Sequence, residues 1–172
     1  MKRFTLLTLL LLLSGMLWAQ ENVTALYKFG YGQDFGGLGG GMEIKAGYLS
    51  AGFGLGVFPS NDELDTESAF GGSAFLKAYF NNENFNGLWA EVGYGQLGVY
   101  RSWSTAGDDT GTLSILGFFG LVGYTIQLDT ICIEGGLGYA EANTVGDIDV
   151  SDLPSSYRSM ATLQLSMGWA YE

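Results

Sequence analysis

The sequence predicts an all-β fold, an eight-stranded antiparallel up-and-down barrel preceded by a leader. Three observations carry that expectation. Apolar and small or polar residues alternate with a period of two through most of the chain after residue 22, the spacing of a strand with unlike faces. The 28 glycines follow no collagen repeat, and 15% of residues are aromatic, a composition that suits strands and turns rather than helices. Long polar connections alternate with very short ones, as they do when strands run up and down around a barrel.

The first residues read as a secretory signal peptide, residues 1–19. Lys2 and Arg3 are basic, Leu6–Leu13 is an apolar run broken only by Thr8, and Leu17-Trp18-Ala19 ends on a small residue. That order is the one an exported protein needs, and the run is short for a membrane helix. Removing it takes two basic residues and no acid, moving the net charge from −11 to −13. Such a charge argues against nucleic acid, whose binding requires a basic surface. The single Cys132 excludes an internal disulfide, and the absence of His removes the commonest general base and metal ligand. Residues 20–172 are read as one domain.

The strands follow in order. Val23–Tyr31 places Val23, Ala25, Tyr27, Phe29 and Tyr31 on one face, with Lys28 on the other. GQDFGG (32–37) reads as a turn. Leu38–Ala46 sets Met42, Ile44 and Ala46 against Glu43 and Lys45, and Gly47-Tyr48 makes a tight turn. In Leu49–Val57 large apolar residues alternate with Ser50 and three glycines. After the loop PSNDELDTES, Phe70–Phe80 places Lys77 opposite Leu76, Ala78 and Phe80. Leu88–Arg101 carries Glu91 opposite Leu88, Ala90, Val92 and Tyr94, and its pattern blurs after Gln96, as at a bulge. Thr112–Leu128 is apolar on both faces, but its glycines favour a strand over a helix. Asp129 turns the chain into a strand from Ile131 with Cys132 and Glu134 opposite the apolar stripe, and NTVGDIDVSDLPSS (143–156) reads as the last long loop.

The eighth strand ends the chain. Ala161, Leu163, Leu165, Met167, Trp169 and Tyr171 alternate with Thr162, Gln164, Ser166, Gly168 and Ala170. Its length matches the roughly 9–11 residues a tilted strand needs to cross a bilayer. It is expected to close the barrel against Val23–Tyr31.

Six charges within strands fall on the face opposite the apolar stripe: Lys28, Lys45 and Lys77, and Glu43, Glu91 and Glu134. Inside an eight-stranded barrel side chains fill the interior, and buried charges must be paired. The expectation is a plugged lumen with a balanced charge network, the inward glycines making room for long Lys and Glu side chains. Replacing Glu91 or Glu134 by Ala should then strand a lysine. The rival is a solvated outer face of a soluble sheet.

Aromatic residues are expected in two belts. Tyr31, Phe58, Phe70, Tyr100, Trp103 and Tyr139 lie near one end, and Tyr48, Phe80, Trp89, Tyr124, Trp169 and Tyr171 near the other, the arrangement of a membrane barrel. The long loops carry Asp34, Asp62, Glu63, Asp65, Glu67, Asp108, Asp109, Asp147, Asp149 and Asp152. That acidic rim suits either a solubilising surface or the gathering of divalent cations.

Two apparent motifs lack their context. Gly93, Gly95 and Gly98 spell GxGxxG but continue a strand instead of opening a helix. Asp147, Asp149 and Ser151 begin like a calcium loop, but Asp152 replaces the required glycine and Arg158 the final glutamate. No catalytic residue, cofactor or metal site is therefore expected, and no enzymatic activity.

With its leader, strand number, loop alternation and terminal strand, the chain over residues 20–172 resembles the small OmpA/OmpX-type outer-membrane β-barrels. The resemblance implies a transmembrane β-barrel in the outer membrane of a Gram-negative bacterium, with both termini periplasmic. It implies outer-membrane lipid and lipopolysaccharide as surroundings and the barrel-assembly machinery as a transient partner. Leu163, Leu165, Met167, Trp169 and Tyr171 would form the assembly signal, here followed by Glu172. The expected function is membrane integrity or surface contact and adhesion through acidic loops, by a monomer with an unidentified extracellular partner. The alternative is an exported soluble barrel holding a small apolar ligand.

Overall fold

The computed structural model describes residues 23–59, 68–81, 84–101, 112–146 and 149–171. The expected leader, Trp103 and the loop acids Asp62, Glu63, Asp65, Glu67, Asp108, Asp109 and Asp147 lie outside these residues, as do the side chains of Tyr100 and Asp152. The elements are β1 (Val23–Gly32), a 3₁₀ turn (Gln33–Phe35), β2 (Gly37–Ala46), β3 (Leu49–Phe58), β4 (Ala69–Tyr79), β5 (Gly87–Arg101), β6 (Thr112–Leu128), β7 (Ile131–Val145), a second 3₁₀ turn (Val150–Asp152), a one-turn helix α1 (Ser155–Arg158) and β8 (Ser159–Tyr171). Each strand pairs with the next and β8 returns to β1, so the sheet is a closed barrel with no open ends. The closing ladder runs antiparallel from Ala25 opposite Tyr171 to Tyr31 opposite Leu165.

The short connections form where the backbone can reverse cheaply. Gly47, with φ 60°, turns β2 into β3, and Asp129, with φ 58°, turns β6 into β7. Aspartate is one of the few residues other than glycine that tolerate this left-handed region. The β5 pattern blurs after Gln96 because the register to β6 shifts between Gln96 and Gly98. The extra residue, Leu97, is buried. A second shift opposite Leu116 and Gly117 lets β7 continue to Val145. The strand thus takes in residues expected to start the last loop, and buried Val145 anchors it.

The barrel is inside out relative to a water-soluble domain. Along β8, Leu163, Leu165, Met167, Trp169 and Tyr171 are exposed, while Thr162, Gln164, Ser166, Gly168 and Ala170 are buried. The same parity holds around the wall: Phe29, Phe53, Leu76, Val92, Phe118, Val122, Ile133 and Leu137 all face outward. Tyr27 and Tyr171 pack edge to face at 5.9 Å across the closing seam.

Trp89, expected in the aromatic belt with Tyr48, Phe80, Tyr124, Trp169 and Tyr171, instead points inward and is 1% exposed. Parity places it on the same face as Glu91, and glycines leave it room. A Cβ at Gly123 or Gly136 would collide with its ring. Gly52 likewise makes way for Phe75, and Gly93 for Phe119. At these positions the inward glycines accommodate rings, rather than the lysine and glutamate side chains expected there.

Both mouths are stoppered by the chain itself. At the end bearing the termini, Phe85 in the β4–β5 turn is buried against Tyr79 at 5.7 Å. Gln127 and Asn86 hold this turn by exchanging hydrogen bonds with the backbone N–H groups of Phe85 and Gln127. At the loop end Leu153 is buried, and Val150 and Tyr157 pack against the same apolar cluster.

Candidate functional site

The lumen centre is built from one residue of every strand. Alternation turns Lys28 of β1, Glu43 of β2, Ser50 of β3, Lys77 of β4, Glu91 of β5, Thr125 of β6, Glu134 of β7 and Gln164 of β8 inward, and all are buried. Asp34 joins them from the 3₁₀ turn after β1 and is 0% exposed. It was expected in the acidic rim. The segment Gln33–Phe35 folds down into the barrel instead of capping it, with all three residues buried. The flanking Gly32, Gly36 and Gly37 have φ of 149°, 63° and 120°, values that only glycine adopts readily.

The two central lysines act as hubs. Lys77 Nζ donates to both carboxylate oxygens of Glu134 at 3.0 and 2.9 Å and to Glu43 at 3.4 Å. It lies 3.0 Å from Glu91 and 3.9 Å from Asp34. Lys28 Nζ donates to Asp34, to Glu43 at 2.9 Å and to Glu134 at 3.2 Å. Their ammonium groups also lie over rings: Lys77 Nζ is 4.2 Å from the centre of the Trp89 ring and Lys28 Nζ is 4.5 Å from that of Phe75. Lys45 lies on the same inward face, 5.3 Å from the centre of the Tyr79 ring.

Neutral donors add hydrogen bonds to Glu43, Glu134 and Asp34. Ser50 and Tyr79 hydroxyls donate to Glu43 at 2.6 and 2.7 Å. Thr125 donates to Glu134 at 3.1 Å, and Gln164 donates to both Glu134 and Asp34 at 2.7 Å. A network this connected fixes the positions of its members, because each displaced partner leaves another group unsatisfied in a low-dielectric interior. Each lysine touches several carboxylates, so removing Glu91 or Glu134 does not strand one, contrary to the simple pairwise expectation.

The six strand charges expected inside are all buried. Sequence reasoning put Ser50 and Gln164 on the inward face without assigning them a role, and it missed Tyr79 and Thr125, which strand parity alone could have placed. It missed Asp34 for a different reason, since a turn residue has no parity. Besides Asp34, the expected rim acid with described side-chain hydrogen bonds is Asp149. It accepts from the Ser151 backbone N–H at 2.9 Å and hydroxyl at 2.8 Å, which hold its carboxyl below the usual range. Gly93, Gly95 and Gly98 all lie within β5.

Fold and site together define a class: a closed, side-chain-filled eight-stranded barrel with a charged centre and an apolar exterior. No family model, curated protein or solved structure matches the chain.

Proposed function

We propose that this chain is an integral outer-membrane β-barrel of the OmpA/OmpX type, with a plugged lumen, acting in membrane integrity or surface contact through its loops. One observation carries the reading: large apolar residues face outward all round the wall, with Phe70 70% and Phe80 75% exposed, while Lys28, Lys45, Lys77, Glu43, Glu91 and Glu134 are buried inside. A soluble monomer rarely leaves contiguous apolar surface beyond a few hundred Å² in water. A lipid surround removes that cost. The strands have the reach this requires, since β1, among the shortest, has 10 residues and a tilted crossing takes about 9–11. The terminal stripe Leu163, Leu165, Met167, Trp169 and Tyr171 is exposed and free to serve as the assembly signal.

A soluble carrier of an apolar ligand needs an empty interior, whereas this lumen is occupied by its own rings, ion pairs and turns. No observation favours that second reading. Cell fractionation tests the proposal. The protein should stay with outer membranes, require detergent for extraction, and run at different positions on a gel before and after boiling. Recovery of folded protein in periplasmic shock fluid without detergent would overturn it. Large, stable conductance in planar bilayers would overturn the plug.

A further inference from the structure

The charge inside the barrel does not balance with every group ionised. Among the described residues, the buried ammonium groups are Lys28, Lys45 and Lys77, and the buried carboxyl groups are Asp34, Glu43, Glu91 and Glu134. One negative charge is left over in a sealed interior, where an uncompensated ion is very costly. Glu43 and Glu134 are well supplied with donors. The shortage falls at Asp34 and Glu91. Both carboxyls converge on one ammonium group, Lys77 Nζ, which lies 3.0 Å from Glu91 Oε2 and 3.9 Å from Asp34 Oδ2, yet Oδ1 of Asp34 and both oxygens of Glu91 receive no hydrogen bond among the described residues. Lys77 Nζ stands 3.0 Å from Glu91 Oε2 and contributes charge there, not an aligned hydrogen bond.

We propose that Asp34 and Glu91 form a proton-binding site, a carboxyl–carboxylate pair that shares one proton through the neutral pH range. Two facing carboxylates are both acceptors, and a proton between them supplies the missing donor and satisfies an oxygen on each side. It also cancels the leftover charge. The titratable groups buried in the same lumen are Lys28 of β1, Glu43 and Lys45 of β2, Lys77 and Tyr79 of β4, and Cys132 and Glu134 of β7. The buried polar residues of β3, β6 and β8 are neutral: Ser50, Thr125, Thr162, Gln164 and Ser166. The pair ties the inward-folded turn after β1 to the β5 wall, so the proton holds that turn in the lumen. This inference does not depend on what surrounds the barrel.

The sign of the pH dependence follows from proton numbers. Above the ordinary carboxylate range the unfolded chain has released this proton and the folded chain keeps it. Stability therefore falls as pH rises, by about tenfold in the folding equilibrium per pH unit, until the pair itself ionises. The chain has no His, so the background between pH 5 and 8 is nearly flat.

The test is urea unfolding of the full folded chain in detergent across that range. Wild type should show the slope. Glu91→Gln and Asp34→Asn each place an amide donor where the proton was, and should abolish the slope while staying within about tenfold of wild type at pH 7. Glu91→Ala removes the donor and should lower the equilibrium by a further ten- to hundredfold. A flat wild-type profile, or Glu91→Gln falling as far as Glu91→Ala, would overturn the proposal. So would alkaline loss reversed by added sodium or calcium ions at constant ionic strength, which would assign the charge to a metal cation. Should the variants not fold, infrared spectra of the wild type decide: a protonated-carboxyl C=O band at pH 7 is expected, and its absence refutes the shared proton.

Discussion

Replacing Lys77 by Met should destabilise the barrel more than any other single charge change in the lumen. The side chain is 1% exposed, and its Nζ lies within 4 Å of Asp34, Glu43, Glu91 and Glu134. Methionine keeps nearly the same volume, and its thioether is at home between the Phe75, Tyr79 and Trp89 rings. Little cavity penalty is therefore added, and the loss is the charge. Of the two hub lysines Lys28 would remain, in contact with Asp34, Glu43 and Glu134. Removing one partner of a buried ion pair costs about 3–5 kcal/mol, and the desolvated cation–ring contact with Trp89 is worth about 2 kcal/mol more. Proton uptake by a carboxylate offsets part of this. The expected net is about 3–5 kcal/mol, a large share of the roughly 5–15 kcal/mol a domain has in total. Urea titration of the detergent-folded protein, followed by tryptophan fluorescence, reads the shift. The slope should stay the same and the midpoint should fall. A loss below about 1 kcal/mol at unchanged slope would mean that water reaches the network, and the sealed-lumen reasoning would fail.

Three other substitutions probe the remaining layers. Trp89→Ala empties the space that Gly123 and Gly136 leave for the ring and should cost about 3–5 kcal/mol in the same titration. Gly93→Val drives a side chain into Phe119; it should cost about 1–3 kcal/mol through overpacking, or lower the yield of folded barrel on a gel run without boiling. Val92→Arg alters only the outer wall, where Val92 is 63% exposed. In lipid it should cost about 2–4 kcal/mol, whereas in water the change should be close to neutral, so folding in bilayers against folding in buffer separates the two surroundings.

The legible part of the site was the part carried by strands. Lys28, Glu43, Lys77, Glu91 and Glu134 alternate with apolar neighbours, and a strand turns such residues to one side wherever it sits. Trp89 was legible by the same rule. It was misread because its place near a strand end suggested a belt, and only the packing into Gly123 and Gly136 shows which consideration prevails. Asp34 gave no such signal. An aspartate between glycines reads as a solvated turn, and nothing local says that the turn folds into the barrel. The charge balance inferred from six strand residues was therefore one carboxyl short.

By itself the sequence determined the eight strands, their two faces and the reversals between them. These depend on alternation and turn chemistry within a few residues of each position. Only the tertiary structure decided which charges meet. Asp34 and Gln164 are 130 residues apart along the chain yet share a hydrogen bond, and Lys77 and Glu134 are 57 apart. Such partners are set by ring closure and strand register, which bring one residue from every strand to a single level of the lumen.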